Sequence, residues 1–128
     1  MRILSVDDSK SIRQTIQNMV DVLDVDFVEA QNGKEALKVL ESFNGKIDLI
    51  LLDWEMPEMD GYTFLNTIKQ DKRYRSIPVI MLTTISQKEK VIDAIRAGAK
   101  QYITKPFSGE ELLTKIVQAL GLNNLEEL

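Results

Sequence analysis

Residues 47–61, which read IDLILLDWEMPEMDG, decide the fold. Residues 49–52 form an unbroken apolar run of strand length, which predicts a strand that is covered on both faces. The run stops at Asp53, and Pro57 followed by Asp60-Gly61 indicates a loop. In open α/β sheets, ligands bind where a strand meets its loop in this way. A single Asp at such a point more often ends a strand or caps a turn, so the rest of the chain must decide.

Apolar runs of strand length alternate with segments of helical periodicity along the whole chain. The other predicted strands are residues 2–6, 26–30, 79–82 and 100–104. The predicted helices follow cap residues, which are Asp8 or Ser9, Asn32, Ser86 and Ser108, and one more follows Gly61. In the helix from Ser86, we expect Ile92 and Ile95 to face inward and Val91 to lie on the flank. The alternation predicts an α/β fold, a flavodoxin-like three-layer (βα)5 structure with a parallel five-stranded sheet.

Length and charge restrict the class of protein. The 128 residues, 44% hydrophobic and 28% charged, predict one domain over residues 1–121 with a tail over residues 122–128. The formal charge of −4 argues against nucleic acid as the main partner. There is no apolar run of membrane-spanning length and no signal-peptide pattern, so we expect a cytoplasmic monomer that does not insert into membranes.

Cysteine and histidine are both absent from the chain. Their absence excludes disulfides, thiolate zinc sites, cysteine nucleophiles and any histidine base. The side chains that remain for chemistry are carboxylates, hydroxyls and lysines, together with a hard cation bound through oxygen. A phosphohistidine cannot form on this chain, so any phosphohistidine donor must be another molecule.

Polar residues stand at the carboxyl ends of four predicted strands. In the flavodoxin-like order 2-1-3-4-5 these four strands are adjacent, whereas the second strand, which ends in Ala30-Gln31, lies at the far edge and offers no charge. The polar ends therefore converge. They are Asp7 and Asp8 on the first strand, Asp53 on the third, Thr83 on the fourth and Lys105 on the fifth.

Three carboxylates held together repel one another, so a proton or a cation must join them. Mg²⁺ suits such a site because it takes oxygen ligands and keeps positions free for water and phosphate oxygens. Asp53 can then attack phosphorus and form an aspartyl phosphate. Lys105 supplies a positive charge for the phosphoryl group, and Thr83 supplies a hydroxyl hydrogen bond. Taken singly, each residue has an ordinary structural explanation, and their agreement in place carries the prediction.

These motifs resemble the receiver domain of two-component response regulators, above all stand-alone chemotaxis regulators of the CheY type. The matching residues are Asp7-Asp8, Asp53-Trp54-Glu55-Met56-Pro57, Asp60-Gly61, Thr83, Tyr102 and Lys105-Pro106-Phe107. The resemblance covers essentially the whole chain and supports the strand order used above. It implies that a histidine kinase phosphorylates Asp53, with Lys105 in contact with the phosphoryl group. It also implies that Asp8, Asp53 and the backbone carbonyl of Glu55 bind Mg²⁺, and that Asp7 helps through water.

The resemblance also implies a switch. Thr83 would move toward the phosphoryl group, and Tyr102 would turn into the space that it leaves. The output surface would then comprise the helix from Ser86, the strand with Tyr102 and the helix from Ser108. Its reader would be a separate partner, such as a flagellar motor switch component, and a phosphatase is a further candidate partner.

Two positions depart from the chemotaxis pattern, because Glu55 replaces an amide and Ile85 replaces an acid. A carboxylate repels hydroxide-like water and a branched apolar side chain blocks its path, so we expect slow hydrolysis of the acyl phosphate. Three alternatives stay open from the residues. They are a stand-alone receiver in another phosphorelay, a Mg²⁺-dependent phosphohydrolase with Asp53 as nucleophile, and a flavodoxin-like cofactor binder.

Overall fold

The computed structural model describes residues 1–84, 88–123 and 127. Strands and helices alternate through these residues, as the sequence predicts. The strands are β1 (Arg2–Val6), β2 (Asp26–Ala30), β3 (Leu49–Asp53), β4 (Val79–Thr84) and β5 (Gln101–Lys105). The helices are α1 (Lys10–Val20), α2 (Gly33–Ser42), α3 (Gly61–Lys69), α4 (Lys88–Arg96) and α5 (Gly109–Ala119), and a short 3-10 turn, Asp21–Leu23, follows α1.

The five strands form one parallel sheet in the order β2-β1-β3-β4-β5. The predicted flavodoxin-like α/β fold and its strand order are therefore confirmed. β3 lies at the centre, and all five of its residues are buried. Its alternate residues divide between two cores. Ile50 and Leu52 pack beneath α2, α3 and α4, whereas Leu49 and Leu51 pack beneath α1 and α5.

Side-chain caps begin four of the helices. Ser9, rather than Asp8, caps α1 by accepting a hydrogen bond from the Ile12 N–H group at 3.2 Å. Asn32 and Ser108 cap α2 and α5 as predicted, and Asp60 caps α3. Each cap satisfies a backbone N–H group that the first turn of a helix leaves without a partner. The predicted cap Ser86 lies outside the described residues.

The prediction for the inward face of α4 is wrong. Ile92 and Ile95 are 55% and 45% exposed, and Ala94 is the buried residue instead. Val91 is half-buried, and Ala97, just beyond the helix, packs against the same core. Val91 and Ala94 are three residues apart, so they share one helix face just as the two isoleucines share another. The choice between the two faces depends on how closely the helix approaches the sheet, and alanine permits the closer approach.

Gly61, the first residue of α3, holds the loop after β3 against the strand. A Cβ atom at this position would lie 2.3 Å from the Asp53 carbonyl oxygen and 2.9 Å from the Trp54 Cα atom. The Gly61 N–H group also donates to the Trp54 carbonyl at 2.9 Å. The backbone of the Asp53 segment therefore leaves no room for a side chain here.

We predict that Gly61→Ala lowers the free energy of unfolding by about 2–3 kcal/mol, because the new methyl group must push backbone atoms aside. Gly109→Ala is the matched control. Gly109 also begins a helix, but its Cβ atom would meet only the Met19 side chain, at 3.5 Å. That variant should stay within about 1 kcal/mol of wild type. Urea denaturation measures both, and equal stabilities would contradict the prediction.

Candidate functional site

Three strand ends deliver the central residues of the site. Asp53 is the last residue of β3, Lys105 is the last residue of β5, and Asp7 directly follows β1. Side chains alternate between the two faces of a strand. All three residues continue the set that packs beneath α1 and α5, which includes Ile3, Leu51 and Ile103. They therefore emerge on the same side of the sheet edge.

Lys105 joins the two buried carboxylates. Its Nζ donates to Asp53 Oδ1 at 3.0 Å and lies 3.4 Å from Asp7 Oδ2. The other Asp7 oxygen accepts a hydrogen bond from the Ser9 N–H group at 2.9 Å. The exposed Asp8 completes the group, since one carboxylate oxygen from each of Asp7, Asp8 and Asp53 lies within 4.8 Å of the others. The predicted convergence of acids and lysine at this sheet edge is confirmed.

Burial makes this collection of charges costly. Desolvation, reinforced by the charge of Asp7, raises the pKa of Asp53 from 3.8 to about 6, although Lys105 acts in the opposite direction. Desolvation also raises the pKa of Asp7. Burial by itself would lower the pKa of Lys105, but the Asp53 hydrogen bond and the two negative charges raise it. The site holds more negative charge than one lysine can balance, so it is suited to a cation with oxygen ligands.

Thr83 of β4 and Tyr102 of β5 lie on the face of the sheet beneath α4. Thr83 is buried, and its register partner on β5 is Thr104. Tyr102 pairs with Met81, which shares a face of β4 with Thr83 because the two are two residues apart. The side chains of Thr83 and Tyr102 therefore lie on the same face of neighbouring strands. Tyr102 is 41% exposed, and Lys115 Nζ lies 5.6 Å from the centroid of its ring. In this structure the tyrosine side chain is therefore at the surface.

Glu55 is exposed, and its carboxylate accepts a hydrogen bond from Lys90 of α4 at 2.9 Å. The loop after β3 is thereby linked to α4. Ile85, the other departure from the chemotaxis pattern, lies outside the described residues. The expected effect of these two residues on hydrolysis stays a prediction.

Arg13 lies at the site although no sequence pattern predicted it. Its Nη1 donates to the Asp7 carbonyl, and its Nε donates to Glu29 of β2 at 3.0 Å. A charged residue on a helix is usually solvated, so its residue type alone did not point to the site. The available signal was its place in the first turns of a helix that begins beside Asp7.

The chain matches the family described as the response regulator receiver domain over residues 3–117. It belongs to that family. The chemotaxis protein CheY1 of Helicobacter pylori is 39% identical over 125 residues, which cover 97% of this chain and 100% of that protein. The solved structure of chemotaxis protein CheY4 from Vibrio cholerae is 33% identical, with a TM-score of 0.85, and the match covers 93% of this chain and 98% of that one. A segment covering 15% of the sensor histidine kinase CheAY of H. pylori is 36% identical over 120 residues.

These findings show a CheY-like receiver that serves phosphorylation-dependent signalling in chemotaxis. It is a phosphoacceptor signalling protein rather than a true enzyme. The triad of Asp7, Asp8 and Asp53 is typical of a receiver metal site. No helix among the described residues is long and apolar enough to cross a membrane.

The raised pKa of Asp53 predicts how stability depends on pH in the metal-free protein. The folded state binds the Asp53 proton more tightly than the unfolded state, so the contribution of Asp53 to the free energy of unfolding falls as pH rises from about 4 through about 6. Asp53→Asn removes this loss. We expect the free energy of unfolding of the variant to exceed that of wild type by about 1–3 kcal/mol at pH 7.5 and to differ little from it at pH 4. Urea denaturation with EDTA checks this, and a variant less stable than wild type at pH 7.5 would contradict it.

Proposed function

We propose that Asp53 accepts a phosphoryl group from a histidine kinase in a Mg²⁺-dependent reaction, and that the modified receiver binds an output partner. The observation that carries the proposal is the contact of Lys105 with Asp53, at 3.0 Å, in a cluster of three carboxylates. A buried carboxylate beside one lysine and two further acids is equipped to receive a phosphoryl group once a cation offsets the charge.

The transfer itself needs one bond to form and one to break. A carboxylate oxygen of Asp53 bonds to phosphorus while the phosphorus–nitrogen bond of the phosphohistidine breaks, and the leaving imidazole keeps the bonding electron pair. The donor is another protein, because this chain has no histidine. A receiver-like segment within the H. pylori sensor histidine kinase supports a kinase of that class. Lys105 is placed to contact the new phosphoryl oxygens.

The donor set fits Mg²⁺. In the proposal, Asp8, Asp53 and the backbone carbonyl of Glu55 bind the ion, and Asp7 acts through water. A bound Mg²⁺ supplies two positive charges that offset the carboxylates and the incoming phosphoryl oxygens. The donors that the described residues bring to the site are carboxylate oxygens and the Lys105 nitrogen, which favours a hard cation over the softer transition metals. Asp7, which is buried and bonded to Ser9 and Lys105, is the least free of the three acids to bind the ion directly.

Thr83 and Tyr102 are the proposed switch. Leu82 of β4 is the register partner of Asp53 on β3. Thr83 is the next residue of β4, so it lies one position beyond Asp53 on the neighbouring strand. When Thr83 turns toward the phosphoryl group, it vacates space on the face that it shares with Tyr102. Tyr102 then turns inward from its exposed position, which changes the surface of β5.

The proposed output face consists of Ile92, Ile95 and Tyr102. All three are large apolar or aromatic side chains with 41–55% exposure. Exposed isoleucines one turn apart on α4, together with an exposed tyrosine on β5, suit a partner that offers an apolar surface. A flagellar motor switch component is the proposed partner, and a phosphatase is a further one.

Residence in the cytoplasm, the monomeric state and the domain boundary at residue 121 stay predictions.

Phosphorylation is tested with acetyl phosphate and Mg²⁺, followed by intact mass measurement. We expect wild type to gain the mass of one phosphoryl group and Asp53→Asn to gain none. Asp60→Asn is the control, because this exposed acid in the same loop caps α3 and asparagine also caps helices. It should label as wild type does. Persistent labelling of Asp53→Asn would refute the assignment, and loss of labelling without Mg²⁺ tests the metal requirement.

The output face is tested by the affinity of the partner with and without beryllium fluoride. We expect tighter binding with the fluoride complex and a coupling of about 1–3 kcal/mol in wild type. The unmodified protein should bind the same partner more weakly, because the change is a shift of population. Tyr102→Ala should remove most of the gain, and Ile95→Ala should weaken both states alike. A full gain in Tyr102→Ala would show that the tyrosine is not the switch.

A further inference from the structure

Arg13 of α1 forms a largely buried bridge at the end of β1. Its Nη1 donates to the backbone carbonyl of Asp7, and its Nε donates to Glu29 Oε1 at 3.0 Å. Only 13% of the Arg13 side chain is exposed, compared with 43% for Glu29. A guanidinium can serve two acceptors in a fixed planar geometry, which the ammonium group of lysine cannot do. The bridge therefore links β2, through Glu29, to the backbone of the acidic cluster.

The bonded carbonyl belongs to the peptide group that joins Asp7 to Asp8. The other polar groups of Asp7 are held as well, since its N–H group donates to the Ala30 carbonyl at 3.0 Å and its carboxylate is bonded to Ser9 and Lys105. Asp8 is different. Its side chain is exposed, and within residues 1–84 and 88–123 no hydrogen bond holds its carboxylate. Its direction therefore depends on the backbone that precedes it.

We infer that Arg13 is a positioning residue of the metal site. By holding the Asp7 carbonyl, it orients the peptide group that leads into Asp8, so that the Asp8 carboxylate meets the cation that Asp53 also binds. Glu29 holds the guanidinium in the direction that this contact requires. The inference rests on the proposed function, because it takes Asp8 to be a ligand of Mg²⁺.

If Arg13 is replaced, a purely electrostatic role and a positioning role predict opposite changes in the affinity of the site for a cation. Removing a positive charge close to a cation site should tighten cation binding if only the charge matters. Releasing the Asp7–Asp8 peptide group should weaken binding, because an unoriented ligand must be ordered when the ion binds. Residues that orient metal ligands through hydrogen bonds usually change affinity about 10- to 100-fold. The sign of the change thus separates the two roles.

The test is to measure Mg²⁺ binding by isothermal titration calorimetry at pH 7.5 and fixed ionic strength. We expect Arg13→Gln to raise the dissociation constant about tenfold. Arg13→Lys should raise it about threefold, because the charge is kept while the two-acceptor geometry is lost. Arg13→Lys also keeps the test valid if Arg13→Gln does not fold. Tighter or unchanged Mg²⁺ binding in the folded variants would overturn the inference.

Arg2→Gln is the matched control. Arg2 pairs with Asp26 at 2.7 Å and bridges the same two strands at their opposite ends. Its loss should lower stability in urea but leave the Mg²⁺ dissociation constant within about twofold of wild type, since its hydrogen bonds go to Asp48, Asp26 and Lys46 and do not reach the peptide group that leads into Asp8. An Arg2→Gln change as large as that of Arg13→Gln would show a general effect of the β1–β2 pairing and overturn the inference.

Asp8→Ala separates this inference from the proposed function. We expect it to weaken Mg²⁺ binding more than either Arg13 variant, because it removes a ligand. If wild type binds no Mg²⁺, or Asp8→Ala binds it as well as wild type does, the proposed metal site fails and the inference fails with it. If wild type and Asp8→Ala behave as expected and Arg13→Gln is unaltered, only the role of Arg13 is refuted.

Discussion

The contact of Lys105 with Asp53 and Asp7 is the interaction on which the rest of this structure depends. It joins the ends of β5, β3 and β1. In sequence, Lys105 is 52 residues from Asp53 and 98 residues from Asp7. Two buried carboxylates without such a cation would be far more costly to the folded state. One lysine only partly balances the charge, as the raised pKa of Asp53 shows. The site thus carries unbalanced negative charge, which a bound cation would offset and a phosphoryl group would increase.

The two cores explain how a change at the site can reach the surface. Asp53 follows the face beneath α1 and α5, whereas Thr83 and Tyr102 follow the face beneath α4. α3 buries Phe64, Leu65 and Ile68, but in the described part of α4 only Ala94 is fully buried. Because apolar stabilisation scales with buried area, α4 is held less firmly than α3. The element that carries the proposed output face is therefore the one that can shift at low cost.

The support of the acidic cluster extends beyond the strands that carry its acids. β2 has no charged residue at its end, yet Glu29 reaches the cluster through Arg13. Gly61 fits against the Asp53 backbone, and Glu55 links the loop after β3 to α4 through Lys90. Each of these contacts joins residues from different elements. The positions of the acids are consequently a property of the whole sheet edge rather than of one loop.

The sequence by itself determined the element order and the parallel sheet, because side-chain periodicity and strand ends are local properties. The convergence of Asp7, Asp8, Asp53 and Lys105 also needed the strand order, which the family resemblance supported. Only the tertiary structure decided which face of α4 is buried, since Val91 with Ala94 and Ile92 with Ile95 have the same helical spacing. It alone placed Arg13 between Asp7 and Glu29 and Lys90 against Glu55. Such pairings depend on distances between elements, and sequence spacing within one element does not specify those distances.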